Sequence, residues 1–204
     1  MARPYARSVF LNVPFDGTYR PLFHALTFAV IDCGYVARCG LEVEDASQIR
    51  LEKIYQLIAE CRYGIHDISR TEPSKVTGLP RFNMPLELGV FLGAKRFGAG
   101  AQRHKSCLIL DRERYRYQRF CSDIAGQDVA AHNGKPADAV YRVRDWLAAT
   151  SETRIPGGQT MASRFMAFRQ QMPKQCRAFQ LEPAELIFRD YVTLATAWLL
   201  ENPW

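Results

Sequence analysis

Short apolar runs alternate along this chain with longer segments whose apolar residues recur every three or four positions. The run Ser8-Val9-Phe10-Leu11-Asn12-Val13 predicts a first strand, broken by Pro14, Asp16 and Gly17. Residues 18–33 place Leu22, Leu26, Ala29 and Val30 on one face, the spacing of a helix, and Gly34 stops it. Residues 35–39 form a second strand. Ser47 is placed to cap a helix reaching Cys61, with Ile54, Leu57, Ile58 and Cys61 on one side. Tyr63-Gly64-Ile65-His66-Asp67-Ile68 predicts a third strand. A polar loop with Pro73, Gly78 and Pro80 leads from it to Asn83, a good N-cap, and to Pro85, which suits a first helical turn. That helix runs to Phe97. Residues 105–110 predict a fourth strand ended by Asp111, residues 128–131 a short fifth, and residues 136–150 a helix.

Strands alternating with helices imply parallel βαβ units. The expected fold of residues 1–154 is therefore α/β: a parallel sheet of about five strands with helices on both faces, flavodoxin- or Rossmann-like. Ile155-Pro156-Gly157-Gly158 breaks the pattern. Two helical segments follow, 160–179 and 182–201, each with an apolar stripe (Phe165, Met166, Phe168, Met172; Leu186, Ile187, Tyr191, Leu194, Trp198, Leu199). Residues 155–204 are thus expected to form a helical extension packed on the domain or on a second subunit. Ligands of such sheets bind beyond the carboxyl ends of the strands. The loops after Val13, Cys39, Asp67 and Leu110 would share that rim, with Asn12, Phe15, Asp16, Asp67, Asn83, Glu87 and Asp111 around it.

Composition narrows the function classes. Hydrophobic residues make up 48% of the 204 and charged ones 24%, enough to bury a full core. A net charge of +6 admits anionic partners such as nucleotides, and equally describes a mildly basic surface without a dense basic run. The six cysteines form no C-x-x-C pair, so no zinc or redox site is expected. An N-terminus with no apolar leader, and no apolar stretch of about 20 residues, point to the cytoplasm and away from a membrane.

The chemistry centres on Phe82-Asn83-Met84-Pro85-Leu86-Glu87-Leu88-Gly89, which places Glu87 in the first turn of a helix. An ionised carboxylate there can attack a sugar anomeric carbon, and a second acid must protonate the departing group. Asp67 is the candidate for that role or for holding the sugar. The plainer readings are a helix-end carboxylate at Glu87 and a loop-capping carboxylate at Asp67. Asn12 and Asp16 either bond a ribose hydroxyl or order the turn after the first strand. His66 reads as a satisfied, partly buried histidine. Gly89 and Gly93 suggest close approach of a neighbour. No G-x-G-x-x-G follows the first strand, and the glycine-rich segment 98–105 lies at the wrong end of the sheet to cradle phosphate. Arg112 to Phe120, with Arg114 and Arg116 central, is either a base-stacking, phosphate-holding surface or an amphipathic helix buried through Tyr117, Phe120 and Ile124.

The opening Phe10-Leu11-Asn12-Val13-Pro14-Phe15-Asp16, and Ile65-His66-Asp67-Ile68-Ser69 followed by Asn83-Met84-Pro85-Leu86-Glu87-Leu88-Gly89, resemble nucleoside 2-deoxyribosyltransferase-like domains over residues 8–135. The resemblance implies a nucleophile at Glu87 and a substrate-binding, activating aspartate at Asp67. It also implies N-glycosidic substrates (nucleosides or nucleotides), no metal or organic cofactor, and a homo-oligomer. Asn12-Val13-Pro14 stands where transferases have an Ala-Gly-Pro-like turn, the loop after the third strand is long, and the tail beyond Gly158 lies outside the common core. The expected fold is also similar to Toll/interleukin-receptor-like domains, some of which cleave the nicotinamide bond of NAD. The alternative expectation is a nucleotide-sensing module that oligomerises without chemistry.

Overall fold

The computed structural model describes residues 5–42, 45–73, 78–80, 82–151 and 153–204. Five strands, β1 (Ser8–Asn12), β2 (Val36–Arg38), β3 (Tyr63–Asp67), β4 (Ser106–Asp111) and β5 (Val129–Ala131), form one sheet in the order β2-β1-β3-β4-β5. Every pairing is parallel, with Asn12 beside His66 and Asp67 beside Leu110. A parallel sheet is covered on both faces, and β1 and β3 are buried along their whole length. The α/β fold expected from the apolar runs is the observed one. The chain leaves β1 toward β2 on one side and returns to β3 on the other, so the order reverses between the ends of β1 and β3.

Side chains alternate between the faces of a strand. Val9, Leu11, Tyr63, Ile65, Leu108 and Leu110 point toward α1 (Arg20–Asp32) and α4 (Pro136–Thr150). Phe10 points toward α2 (Arg50–Glu60) and α3 (Asn83–Phe97), where it joins Ile54, Leu57, Ile58 and Phe91. Lys105, itself buried, donates to the carbonyls of Ile58, at 2.5 Å, and Cys61, closing the end of α2 against β4.

The C-terminal helices α5 (Gly158–Ala178) and α6 (Phe188–Glu201) pack on α1 and α4. Their apolar faces share one continuous core with those helices and the sheet. This explains why α1 is apolar almost all round: buried residues run without a gap from Ala25 to Val30 because the helix lies between the sheet and a second helical layer. Phe28 of α1 stacks on Phe168 of α5 at 5.2 Å and leans on Trp198 of α6.

Arg164 of α5 holds the buried carboxylate of Asp32 with Nε 3.0 Å from Oδ2 and Nη2 3.0 Å from Oδ1. Burial pushes the Asp32 pKa up and the guanidinium only partly opposes it. Arg164→Ala would therefore strand a buried carboxyl, with an expected loss of about 3 kcal/mol in urea unfolding. Pairing Arg164→Met with Asp32→Asn should recover most of it.

Several local expectations are corrected. Ser47 does not cap α2: Asp45 takes both its N–H (2.9 Å) and its hydroxyl (2.7 Å), and the helix starts three residues later. Asn83 is the first residue of α3 rather than its cap, so Glu87 lies just beyond the first turn. Gly89 and Gly93 face open space, so no close approach requires them. Residues 182–187 are not helical; α6 begins at Phe188, after a turn closed by the Glu185 N–H on the Glu182 carbonyl. The 112–120 segment is no long amphipathic helix: only Arg116–Arg119 makes a single 3-10 turn, preceded by Tyr115 at φ 62°. Among the described residues no helix is long and apolar enough to cross a membrane.

Candidate active site

In sheets of this kind ligands bind where the strand order reverses, here between the ends of β1 and β3. Parity along the strands sorts the candidate residues around it. Asn12 and His66 are register partners on the α2/α3 face, joined by Asn12 Nδ2 and His66 Nδ1 at 3.0 Å. Asp67, one residue on, points to the α1/α4 face. Asp111, one residue beyond Leu110, returns to the α2/α3 face. The structure therefore places Asp67 and Glu87 on opposite sides of the sheet's edge.

Asp67 is fully buried and its oxygens are engaged. The Tyr19 hydroxyl donates to Oδ2 at 2.5 Å and the Ser69 N–H to Oδ1 at 2.8 Å. His132 Nε2 approaches Oδ2 at 3.1 Å, off the line of a full hydrogen bond. Burial alone would raise the pKa of Asp67; His132, Ser69 and Tyr19 outweigh it and hold the carboxyl ionised, below its usual range. The same contact, added to burial, drives the Tyr19 pKa well up, so its hydroxyl keeps its proton. Tyr19 lies in the sequence where the turn after the first strand meets the helical pattern, with no sign of a role; Asp123, Asp128, His132 and Asn133 read as a polar cluster, a candidate further loop over the site, without a named partner for His132. Only the fold brings Tyr19 and His132 to β3.

The other polar candidates are also held. Asp16 Oδ1 accepts from the Thr18 N–H and the Tyr19 N–H, both at 3.1 Å, and from Arg70 at 2.9 Å, which orders the turn after β1. Burial works against ionisation of Asp16, but these donors prevail and its pKa is lowered. Asp111 Oδ1 accepts from Arg116 at 2.6 Å and from the Arg112 N–H, while its Oδ2 is buried without a partner among the described residues. Burial raises the Asp111 pKa, with Arg116 opposing. Arg116 also donates to Thr71 and to the Ser69 carbonyl, so this half of the expected basic surface is spent inside the protein; Arg114 remains exposed. Phe15 is half-buried against Phe23, and Asn83 is exposed at the start of α3.

Glu87 differs from these. Its residue is only 7% exposed and its carboxyl has no hydrogen bond or ion pair among the described residues; its oxygens are not among the wholly buried unpartnered atoms, so they keep an edge on solvent. The other buried carboxyls, Asp32, Asp67 and Asp111, all have donors. Burial lifts the Glu87 pKa from 4.5 to about 7, with the Arg50 charge pulling only weakly the other way. Beside it, Asn12 Nδ2 donates to the carbonyl of Met84, one helical turn before Glu87 on the same side of α3, at 2.9 Å. Asn12 Oδ1 and His66 Nε2 are buried with no partner among the described residues. His66 is thus wholly buried and only half satisfied, and burial drops its pKa to about 3, which keeps the ring neutral.

No group of metal-ligating side chains occurs among the described residues. Comparison with models of known protein families and with curated proteins finds no match to this chain.

Proposed function

We propose that the protein hydrolyses, or transfers a sugar at, the N-glycosidic bond of a nucleoside, nucleotide or NAD-like substrate, with Glu87 as the reacting carboxyl. The observation that supports this best is that Glu87, largely buried but with its oxygens at an edge of solvent, has no donor among the described residues and follows by one turn the Met84 carbonyl that Asn12 holds at the end of β1. A carboxyl kept for stability is normally given donors. One left bare, with a pKa near neutrality, fits a group that must bond to something brought from outside.

In this reading ionised Glu87 attacks the anomeric carbon. The carbon–nitrogen bond breaks, the base leaves and takes up a proton, and water or an acceptor then releases the sugar from Glu87. Asp67 is a positioning residue, acting through Tyr19 and His132 rather than offering its own oxygens. Asn12, Asp16 and Asp111 shape the rim, and Phe15 and Asn83 border it.

The test is release of free base, followed by chromatography, from a panel of nucleosides, nucleotides and NAD. Because the nucleophile must be ionised, kcat/KM should rise with pH and level off above about 7. A rate that falls through that range would assign Glu87 as a proton donor instead. No release from any compound would overturn the enzymatic reading. The internal engagement of Asp16, Asp67 and Asp111 favours one alternative, a nucleotide-sensing role without turnover; tight nucleotide binding with no base release would select it.

A further inference from the structure

A cavity lies on the α1 side of the sheet, away from Glu87. It occupies about 390 Å³ between the start of α1 and the helices α5 and α6. Phe165, Phe168 and Tyr191 contribute its apolar wall, Arg20 and Arg169 its charges, and His24 a polar edge. Among the described residues no acidic one lines it. From this we infer that the cleft is a ligand site for a small aromatic ring bearing a phosphate or carboxylate group, distinct from the Glu87 site and independent of what Glu87 does.

Three features carry the inference. The first is size and lining: about 390 Å³ with aromatic walls and few polar groups is the composition of a small-molecule pocket. The second is charge. Arg20 comes from α1 and Arg169 from α5; both line the same apolar space, and the charges of both act on His24 within it. Arg20 is steadied by one bond, Nη1 to the Ala184 carbonyl at 2.8 Å, which leaves its other nitrogens for a ligand. Arg169 has no hydrogen bond or ion pair among the described residues. Two cations facing one cavity without a carboxylate repel each other; an incoming anion removes that repulsion, and the guanidinium fork matches phosphate and carboxylate alike. The third is His24. Its ring lies flat on Tyr191, centroids 3.9 Å apart and planes 16° apart, and the Tyr191 hydroxyl is already used on the His24 carbonyl at 2.8 Å. The imidazole nitrogens have no partner among the described residues. Burial, with Arg20 and Arg169 adding to it, lowers the His24 pKa to about 4, so the ring presents a neutral donor and acceptor rather than a third charge. The wall stacks a planar ring, the arginines take its anionic end, and His24 bonds a polar edge atom.

The experiment uses two probes that differ in the source of the anion, adenosine monophosphate and indole-3-carboxylate. Backbone amide shifts are followed by NMR on the full chain. In wild type, at least one probe should shift resonances of His24, Arg169 and their neighbours on α5 and α6. Arg20→Ala and Arg169→Ala, both at exposed positions, should each weaken that binding by about tenfold, while Glu87→Gln should leave it unchanged. Which probe binds tells phosphate from carboxylate. The inference is overturned if neither probe shifts these resonances at about millimolar concentration, the weakest binding a real site would show. It is also overturned if the arginine variants bind as well as wild type, or if the shifts map only to the β1–α3 rim and vanish in Glu87→Gln.

Discussion

Glu87→Gln should abolish base release and, at pH 8, raise the stability of the protein. The first effect follows from removing the proposed nucleophile. The amide fills the same space but forms no glycosyl ester, so turnover should fall by about a thousandfold or more, the scale of losing a group on which the chemistry depends. The second follows from burial. In the unfolded chain Glu87 titrates near 4.5, and in the folded protein near about 7. The folded state therefore holds the extra proton between those values. The stability linked to Glu87 is fully present below 4.5 and is lost as the pH climbs through about 7. Above that point the ionised carboxyl weakens the fold by up to about 3 kcal/mol, less what solvent screens. Glutamine carries no such penalty. Thermal unfolding of the two proteins should coincide near pH 5 and separate at pH 8, with the variant the more stable. A purely structural carboxylate would give the opposite sign at pH 8, so the melting curves test the role of Glu87 even before a substrate is known.

Asp67→Ala should be the most destabilising single change at the rim, at about 3–5 kcal/mol by urea unfolding. It leaves the Tyr19 hydroxyl, the Ser69 N–H and the edge of His132 facing an empty space that water enters poorly. Tyr19→Phe removes only one of those donors and should cost about 1–2 kcal/mol. The pH dependence runs opposite to that of Glu87. The Asp67 pKa is lowered on folding, so its contribution is present above the ordinary value of 3.8 and disappears as the pH drops through the lower folded value. Wild type and Asp67→Ala should therefore converge in stability under strong acid. A loss below about 1 kcal/mol at neutral pH would show that the Tyr19–Asp67–His132 cluster does not hold the rim.

The contrast between Glu87 and Asp67 also shows where sequence reading stops. The alternation of apolar runs and helical spacings is a local property, and it sufficed for the parallel α/β architecture and for α4, whose span from Pro136 to Thr150 is that expected from the sequence. Caps were less legible because donors compete: Asp45 outbids the start of α2 for Ser47, and nothing in the spacing reveals it. The rim was legible as a set of carboxylates but not as an arrangement. Adjacent positions such as His66 and Asp67 must face opposite ways, yet which face each takes depends on strand order and on the helices that cover them. Tyr19 and His132 lie 48 and 65 positions from Asp67, and only the closed fold makes them neighbours. Glu87 itself stood out in the sequence through its surroundings, whereas its lack of partners is a property of burial alone.

The layer formed by α5 and α6 over α1 has a consequence for how the protein is made. Ribosomal synthesis delivers β1, α1 and the rest of the sheet first, while Phe28 waits for Phe168 and Trp198. At about 5–20 residues per second, the stretch from the end of α4 to Trp198 takes roughly 2–10 s to appear. During that interval a nascent chain carries an apolar helix with nothing on its outer side. Chaperones that shield exposed apolar segments have their opportunity there, and a stalled or slowed ribosome in this stretch would release a chain prone to aggregate rather than a shorter folded protein.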